Sequence, residues 1–282
     1  MEFKDSKYNY DNVIEVRDQS EVGSRKFLSG VFSWMFVALA ISGVSAFLFA
    51  GTPALRSLLF DFNTGHLTNL GMIVRFLPLA FILLMSFGLN RLSYPVLAFL
   101  FIAYSAATGV SLSFLLLIYS SSSVSLAFGV SALVFGVMAI AGYTTQMDLT
   151  NFGGILIMLL IGIIIASLVN MFLNSEAIGY IISYFGVAVF TGLTAYDVQK
   201  LKRIGAGLEY GDASAKKMAL MGGLTLYLDF INLFCLSFAY LAAEEDNFNK
   251  KPNQKAASKK GGFFCLTMWL NRDIRAVLYT CK

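Results

Sequence analysis

Two aspartates stand where hydropathy disfavours them. Asp229 lies inside LYLDFINLF, Leu226–Phe234, and Asp197 inside LTAYDVQKLKR, Leu193–Arg203. An arginine, Arg91, closes another apolar stretch. A carboxylate at the centre of a membrane helix costs about 2.5–3.5 kcal/mol even on insertion scales, and such groups persist when they face a cavity or a partner. Two carboxylates in one small site titrate as a pair and can hold one proton between them. A guanidinium beside them favours the charged form, so protonation would weaken an Asp–Arg contact and free a helix to move. Ionised carboxylates are also hard oxygen ligands, suited to calcium. Asp197 and Asp229 are therefore the expected pH sensor and ion pathway, with possible calcium contacts, and Arg91 is the expected latch.

The elements that must position these groups are membrane helices. Of the 282 residues 57% are hydrophobic and 13% charged, with a mean hydropathy of +0.70. Soluble domains carry about 25% charged residues. The one histidine, His66, falls in a loop and reads as a solvated side chain. Cys235, Cys265 and Cys281 are scattered with no CxxC pair, and no HExxH occurs, so zinc ribbons, disulfide frameworks and that zinc-protease motif drop out. A net charge of +4 with basic residues at helix ends does not ask for nucleic acid. No cofactor is expected beyond calcium as a permeant or bound ion. The expected partners are lipid, calcium ions and protons.

A bilayer core needs about 20 apolar residues in a helix. Seven segments qualify: Val31–Ala50, Ile73–Asn90, Pro95–Ile118, Val124–Tyr143, Phe152–Phe172, Ile178–Gln199 and Met218–Ala242. The expected fold is all-α and polytopic, with a seven-helix domain over 27–243. Residues 1–26 read as a short cytoplasmic arm without a signal-peptide layout and with little order. Residues 244–282 read as a polar and partly amphipathic tail. Arg25, Lys26, Arg91, Lys200, Lys202, Arg203, Lys216 and Lys217 fall on one side if the amino terminus is cytoplasmic. The carboxyl terminus is then outside. On this topology Asp197, Asp229 and Arg91 share the cytoplasmic half, and Asp148 in TTQMDLTN is a cytoplasmic turn residue.

Polar side chains accompany the carboxylates. Gly222, Thr225, Asp229 and Asn232 recur at three or four residues, so they stack on one side of the last span. Tyr104, Thr108 and Ser111 form a stripe on the third span that is expected to line the same seam, which makes Thr225, Asn232, Tyr104 and Thr108 possible pore-lining residues. Small residues Gly129, Ala132 and Gly136 in the fourth span, and Gly186, Ala188 and Gly192 in the sixth, are expected to allow close helix contact. Ser167 and Asn170 read as glue between helices.

FTGLTAYDVQKLK and LYLDFINLF resemble the Bax inhibitor family, the transmembrane Bax inhibitor motif proteins, over about 25–241. The resemblance implies seven helices with the last one central between two layers of three. Bacterial members of the family are similar to pH-sensitive calcium leak channels with a paired-aspartate sensor. Asp197 in AYD and Asp229 in LDF match that pair, and Arg91 matches the latch arginine by its distance from Gly109. The chain departs from some relatives inside the second helix, where Pro78 and Ala80 stand and no acidic residue occurs. The expected function is a pH-sensitive calcium leak of the membrane, in the bacterial inner (plasma) membrane, and not an enzyme. The alternatives are a proton-coupled transporter, which lacks an evident inverted repeat, or an intramembrane aspartyl protease. For the protease, Tyr196–Asp197 resembles half of the motif, but Leu226, Tyr227 and Leu228 precede Asp229 where glycines belong, and the Pro-Ala-Leu element is missing.

Overall fold

A computed structural model describes residues 10–61, 66–88, 92–173, 175–208 and 213–249. Its helices are α1 (Tyr10–Gly51), α2 (Pro53–Leu59), α3 (Asn69–Gly88), α4 (Tyr94–Ile118), α5 (Ser121–Thr144), α6 (Thr150–Leu173), α7 (Glu176–Ala206) and α8 (Ala213–Asn249). A two-strand hairpin, β1 (Phe60–Asp61) with β2 (His66–Leu67), joins α2 to α3 in antiparallel register. Among the described residues, α1 and α4–α8 are long and apolar enough to cross a membrane. The second apolar segment of the sequence forms α3, with Pro78 inside it.

The path of the chain constrains α3. α1 and α4 run parallel: Trp34 packs on Tyr94 and Phe101 with centroids 6.5 and 6.0 Å apart, and farther along Gly109 abuts Ser42. The chain must therefore return the length of α1 between Gly51 and Tyr94. A helix of 20 residues spans about 30 Å, and α3 packs along α4, where Ser111 Oγ donates to the Val74 carbonyl at 2.9 Å.

α1, α3 and α4 pack as one group and α5, α6 and α7 as another. α8 lies between them and touches α1, α4, α5 and α7. Its span is 89% buried against 17% for that of α5. This central helix can afford few large polar groups, because no water reaches its backbone or side chains cheaply. The outer faces of α5 and α6 present Leu133, Val137, Ile140, Met158 and Phe172, as lipid contact requires.

Several elements differ from the sequence expectation. The helix of the first span begins at Tyr10, so much of the expected arm is helical. Gly23 is the one strong helix breaker among residues 11–25, which hold no proline and include Glu15, Arg17, Gln19, Glu21 and Arg25 as good helix formers. The loop expected over 200–217 shrinks, because α7 continues to Ala206 and α8 begins at Ala213. α2 and the hairpin were not anticipated, since neither carries a long periodic pattern. Gly129 and Gly136 do not make the expected close contacts: nothing lies within 4 Å of a Cβ placed on either. On α5 that role falls to Gly142, whose Cβ would run into the Ala195 carbonyl of α7. Asn170 closes the α6–α7 turn by accepting from Ser175 N at 3.0 Å, a local bond more than glue between distant helices. The tail beyond Asn249 lies outside the described residues.

Candidate functional site

The register of α7 on α8 places the two aspartates. Near one end Gly222 abuts Leu201. Near the other, Tyr240 packs on Tyr180 and Tyr184 with centroids 5.2 and 6.5 Å apart. The helices are antiparallel and stay in register between these contacts. Gly222, Asp229 and Tyr240 are separated by nearly whole numbers of turns, so all three share the α7-facing side of α8. Asp229 is then level with Leu193 and Thr194, and Asp197 with Thr225 and Leu226. The aspartate levels differ by about one turn, roughly 5 Å. Each carboxylate thus has a threonine of the opposite helix at its own height.

All of these groups are buried: Asp229 is 0% exposed, Asp197 8%, Thr194 0% and Thr225 5%. The threonines satisfy their protons on their own helices, Thr194 Oγ1 donating to the Phe190 carbonyl at 2.9 Å and Thr225 Oγ1 to the Met221 carbonyl at 3.0 Å. Their oxygens keep acceptor capacity. Asp229 sits near the middle of the Ser214–Leu241 span, deeper than a count from Met218 places it, because α8 starts five residues earlier. Asp197 is nearer the end of its own span, Ala177–Ala206.

The other polar side chains of α8 divide between two faces. Asn232, one turn beyond Asp229, is 1% exposed, and neither its Oδ1 nor its Nδ2 has a hydrogen-bond partner. Tyr227 lies about 200° around the helix from Asp229. There Ser42 Oγ donates toward the Ala38 and Ser105 carbonyls at 2.9 and 2.8 Å, which leaves its lone pair for the Tyr227 O–H, 2.6 Å away. Tyr104 packs edge-on against Tyr227 with centroids 5.8 Å apart. Tyr104, Thr108 and Ser111 are fully buried. The stripe on the third span therefore meets α8 at Tyr227, and the structure separates it from the aspartate face that it was expected to share.

The segment of α7 that carries Asp197 is held on three sides. Gly142 of α5 abuts Ala195, and Gly153 of α6 abuts the Tyr196 ring. Beyond Asp197, Gln199 bridges the α5–α6 turn: its Nε2 donates to the Met147 carbonyl at 2.7 Å and its Oε1 accepts from Leu149 N at 2.9 Å. Arg203 reaches Asp148 Oδ1 at 2.8 Å and Thr150 Oγ1 at 2.7 Å. Asp148 is a turn residue, as the sequence suggested. The hydroxyl and amide of Thr150, then Arg203, push its carboxyl down to about 2.

The same end of the bundle gathers the basic residues. Ser24 Oγ donates to the Lys202 carbonyl at 2.9 Å, Lys202 Nζ to the Tyr143 carbonyl at 2.9 Å, and Lys217 Nζ to the Leu92 carbonyl at 2.8 Å. Arg91 lies outside the described residues, but its neighbour Leu92 is held at this end beside the start of α8. The side chain of His66 is also outside them. Among the described residues no group of three or more His, Cys, Asp or Glu side chains could hold a metal ion. Calcium takes six to eight oxygens, so Asp197 and Asp229 would need carbonyls, hydroxyls, an amide or water to complete a shell.

Sequence reading missed Thr194, Gln199 and the Ser42–Tyr227 node. Thr194 had a signal: it precedes Asp197 by three residues, on one face of a helix. Ser42 and Gln199 had none, because only the fold brings Ser42 to Tyr227 and Gln199 to Met147.

The family model described as Inhibitor of apoptosis-promoting Bax1 matches residues 24–247. The chain is similar to the inner membrane protein YbhL of Escherichia coli K12, with 42% identity over 219 residues, covering 77% of this chain and 92% of that protein. It is also similar to an uncharacterised protein of Rickettsia prowazekii, 38% identical over 224 residues, 79% of this chain and 92% of the other. An uncharacterised membrane protein of Streptococcus pyogenes is 34% identical over 218 residues, 77% and 92% of the two chains.

Proposed function

The chain belongs to the Bax inhibitor family and is an integral membrane protein, and from that premise we propose that it is a passive, pH-sensitive leak for calcium. Asp197 and Asp229 are its proton sensor. The observation that carries the reading is their placement: two buried carboxylates on the packed helices α7 and α8, at levels that differ by about one turn. Charges away from bulk water interact more strongly than on a surface, and in this reading the protonation of the pair is coupled to how α7 and α8 pack. Tyr104, Tyr227 and Cys235 are the other titratable groups buried around α8, and their ordinary ranges lie above neutral pH. In this reading the proton is taken up by the carboxylates and not by these groups.

Arg91, which follows the α3 segment in the sequence, acts in this reading as the latch. Protonation of the pair weakens its hold and lets a helix move. In this reading α3 is the seventh span, which the parallel course of α1 and α4 supports. The basic end faces the cytoplasm, which puts the amino terminus inside, the carboxyl terminus outside, and the protein in an inner membrane like YbhL. The α5 and α6 faces meet lipid.

Purified protein in liposomes should pass calcium, with a flux that changes between pH 5 and pH 8. Asp197→Asn or Asp229→Asn should remove that pH dependence. Flux that ignores both substitutions, or wild-type vesicles that pass no calcium at any pH, would end the proposal. Arg91→Ala should raise the basal flux and leave its pH dependence in place; unchanged flux would reduce Arg91 to a topology anchor.

A further inference from the structure

Resting on the leak reading, we propose that Asn232 is a cation ligand of the pathway, the residue that makes it prefer a divalent ion. Several buried hydroxyls satisfy themselves on carbonyls. Ser42, Ser105, Ser131, Thr194 and Thr225 each donate to their own helix about one turn back. A carboxamide cannot be satisfied that way, because it brings two donors and an acceptor with two lone pairs. Asn232 is 1% exposed, and both of its polar atoms are buried with no hydrogen-bond partner in the protein. Such a group is costly in a membrane interior, and it calls for something the protein alone does not supply.

Position says what that something is. Asn232 lies three residues past Asp229, so it follows one turn farther along α8 and only about 60° around it. A group held between them meets carboxylate oxygen first and amide oxygen next. Both are hard neutral or anionic oxygens, the ligand class that calcium and magnesium take. A partly dehydrated divalent ion gains more from each added oxygen than a monovalent ion does, because the attraction scales with its charge. The amide does not titrate, so Asn232 acts on which ion passes and leaves the proton sensor alone. At the Ser42–Tyr227 node, by contrast, Ser42 Oγ already has partners in the Ala38 and Ser105 carbonyls and in Tyr227.

The test compares wild type, Asn232→Leu and Asn232→Asp in liposomes, with calcium and potassium flux read across pH. Asn232→Leu keeps the size of the side chain and removes both polar groups. Its calcium flux should fall about tenfold, the size expected for losing one contact to a charged group. Potassium flux should fall much less, and the pH at half-maximal flux should stay put. Asn232→Asp, which restores an oxygen, should recover calcium flux. An unchanged calcium-to-potassium ratio in Asn232→Leu would overturn the proposal while leaving the leak intact, and so would a shift in pH response alone. If Asn232→Leu does not elute as a folded species, Asn232→Gln serves instead, since it keeps the amide and displaces it by one methylene. Should wild-type vesicles pass neither ion, the leak reading falls, and calcium titrated against thermal unfolding in detergent decides on Asn232. Stabilisation of wild type that Asn232→Leu loses would keep it as a ligand; equal stabilisation of both, or none in wild type, would overturn it.

Discussion

On one side of α8, the Tyr227 hydroxyl lies 2.6 Å from Ser42 Oγ, which also donates toward the Ala38 and Ser105 carbonyls. On the other side, Asp229 and Asn232 lie just as deep, yet the amide atoms of Asn232 have no partner. The first region behaves as glue: small residues bring α1 and α4 close, and hydrogen bonds tie Ser42 to Tyr227 and to the carbonyls beside it. The second carries charge and unsatisfied polarity at the level where lipid tails lie outside, which no packing need explains. Natural folds break local rules at functional sites and offset the cost elsewhere. Burial alone would not tell these faces apart. The buried carboxylate does.

The largest expected effect breaks the glued side. Gly109 of α4 faces Ser42, and a Cβ there would run into the Ser42 carbonyl and Cα. Overpacking costs typically about 1–3 kcal/mol and occasionally more, and here the obstacle is backbone, which cannot step aside. Gly109→Leu should leave little monodisperse protein after detergent extraction. Gly129→Leu, where nothing lies within 4 Å, should leave yield and thermal midpoint unchanged. Equal tolerance of the two would undo the account of α1–α4 packing.

Next comes Asp229→Leu on the other side. Removing a carboxylate from the middle of a span relieves a burden of about 2.5–3.5 kcal/mol on insertion scales. The variant should melt no lower than wild type, and higher if the cavity accepts the leucine, while calcium flux falls to background. A structural carboxylate would give the reverse, a marked loss of stability, because removing one member of a needed buried contact strands its partner. This substitution separates stability from function most cleanly.

A smaller effect is expected at Tyr227→Phe. It deletes one hydroxyl, and Ser42 still reaches the Ala38 and Ser105 carbonyls. The cost should be about 1 kcal/mol, the usual net worth of one hydrogen bond, read as a modest drop in thermal midpoint. Flux and its pH response should not change. A shifted pH response would mean that the two faces of α8 communicate through the helix.

What the sequence revealed follows the same division. Hydropathy located, to within a few residues at most ends, the six helices that among the described residues are long and apolar enough to cross a membrane, because twenty apolar residues in a row have few alternatives. Asp197 and Asp229 stood out against that background. Their relation to each other did not, since it depends on how α7 seats on α8, which Leu201, Gly222 and the tyrosines decide together. Spacing along the third span grouped Tyr104 with Thr108, yet it could not say which side of α8 they meet. Gly142 and Gly129 look alike in sequence, and only the position of Ala195 distinguishes them.

The smallest expected effect tests whether pH sensing is confined to the aspartate face. Asp148 and Arg203 form an exposed ion pair at the end of α7, two turns from Asp197. The carboxyl of Asp148 is pushed down to about 2 from its ordinary 3.8, chiefly by Thr150 and then by Arg203. A depressed carboxyl stabilises the fold above its unfolded value, and that contribution disappears only as pH falls from about 4 toward 2. Between pH 5 and pH 8 Asp148 stays ionised, so the pair cannot report pH there. Asp148→Asn should barely move the thermal midpoint at neutral pH, as for most exposed pairs, and should leave the pH at half-maximal calcium flux where it is. If that pH moves, the sensor includes the α5–α6 turn: Gln199 and Arg203 would then transmit strain to Asp197 along α7, and the aspartate face would no longer be a self-contained device.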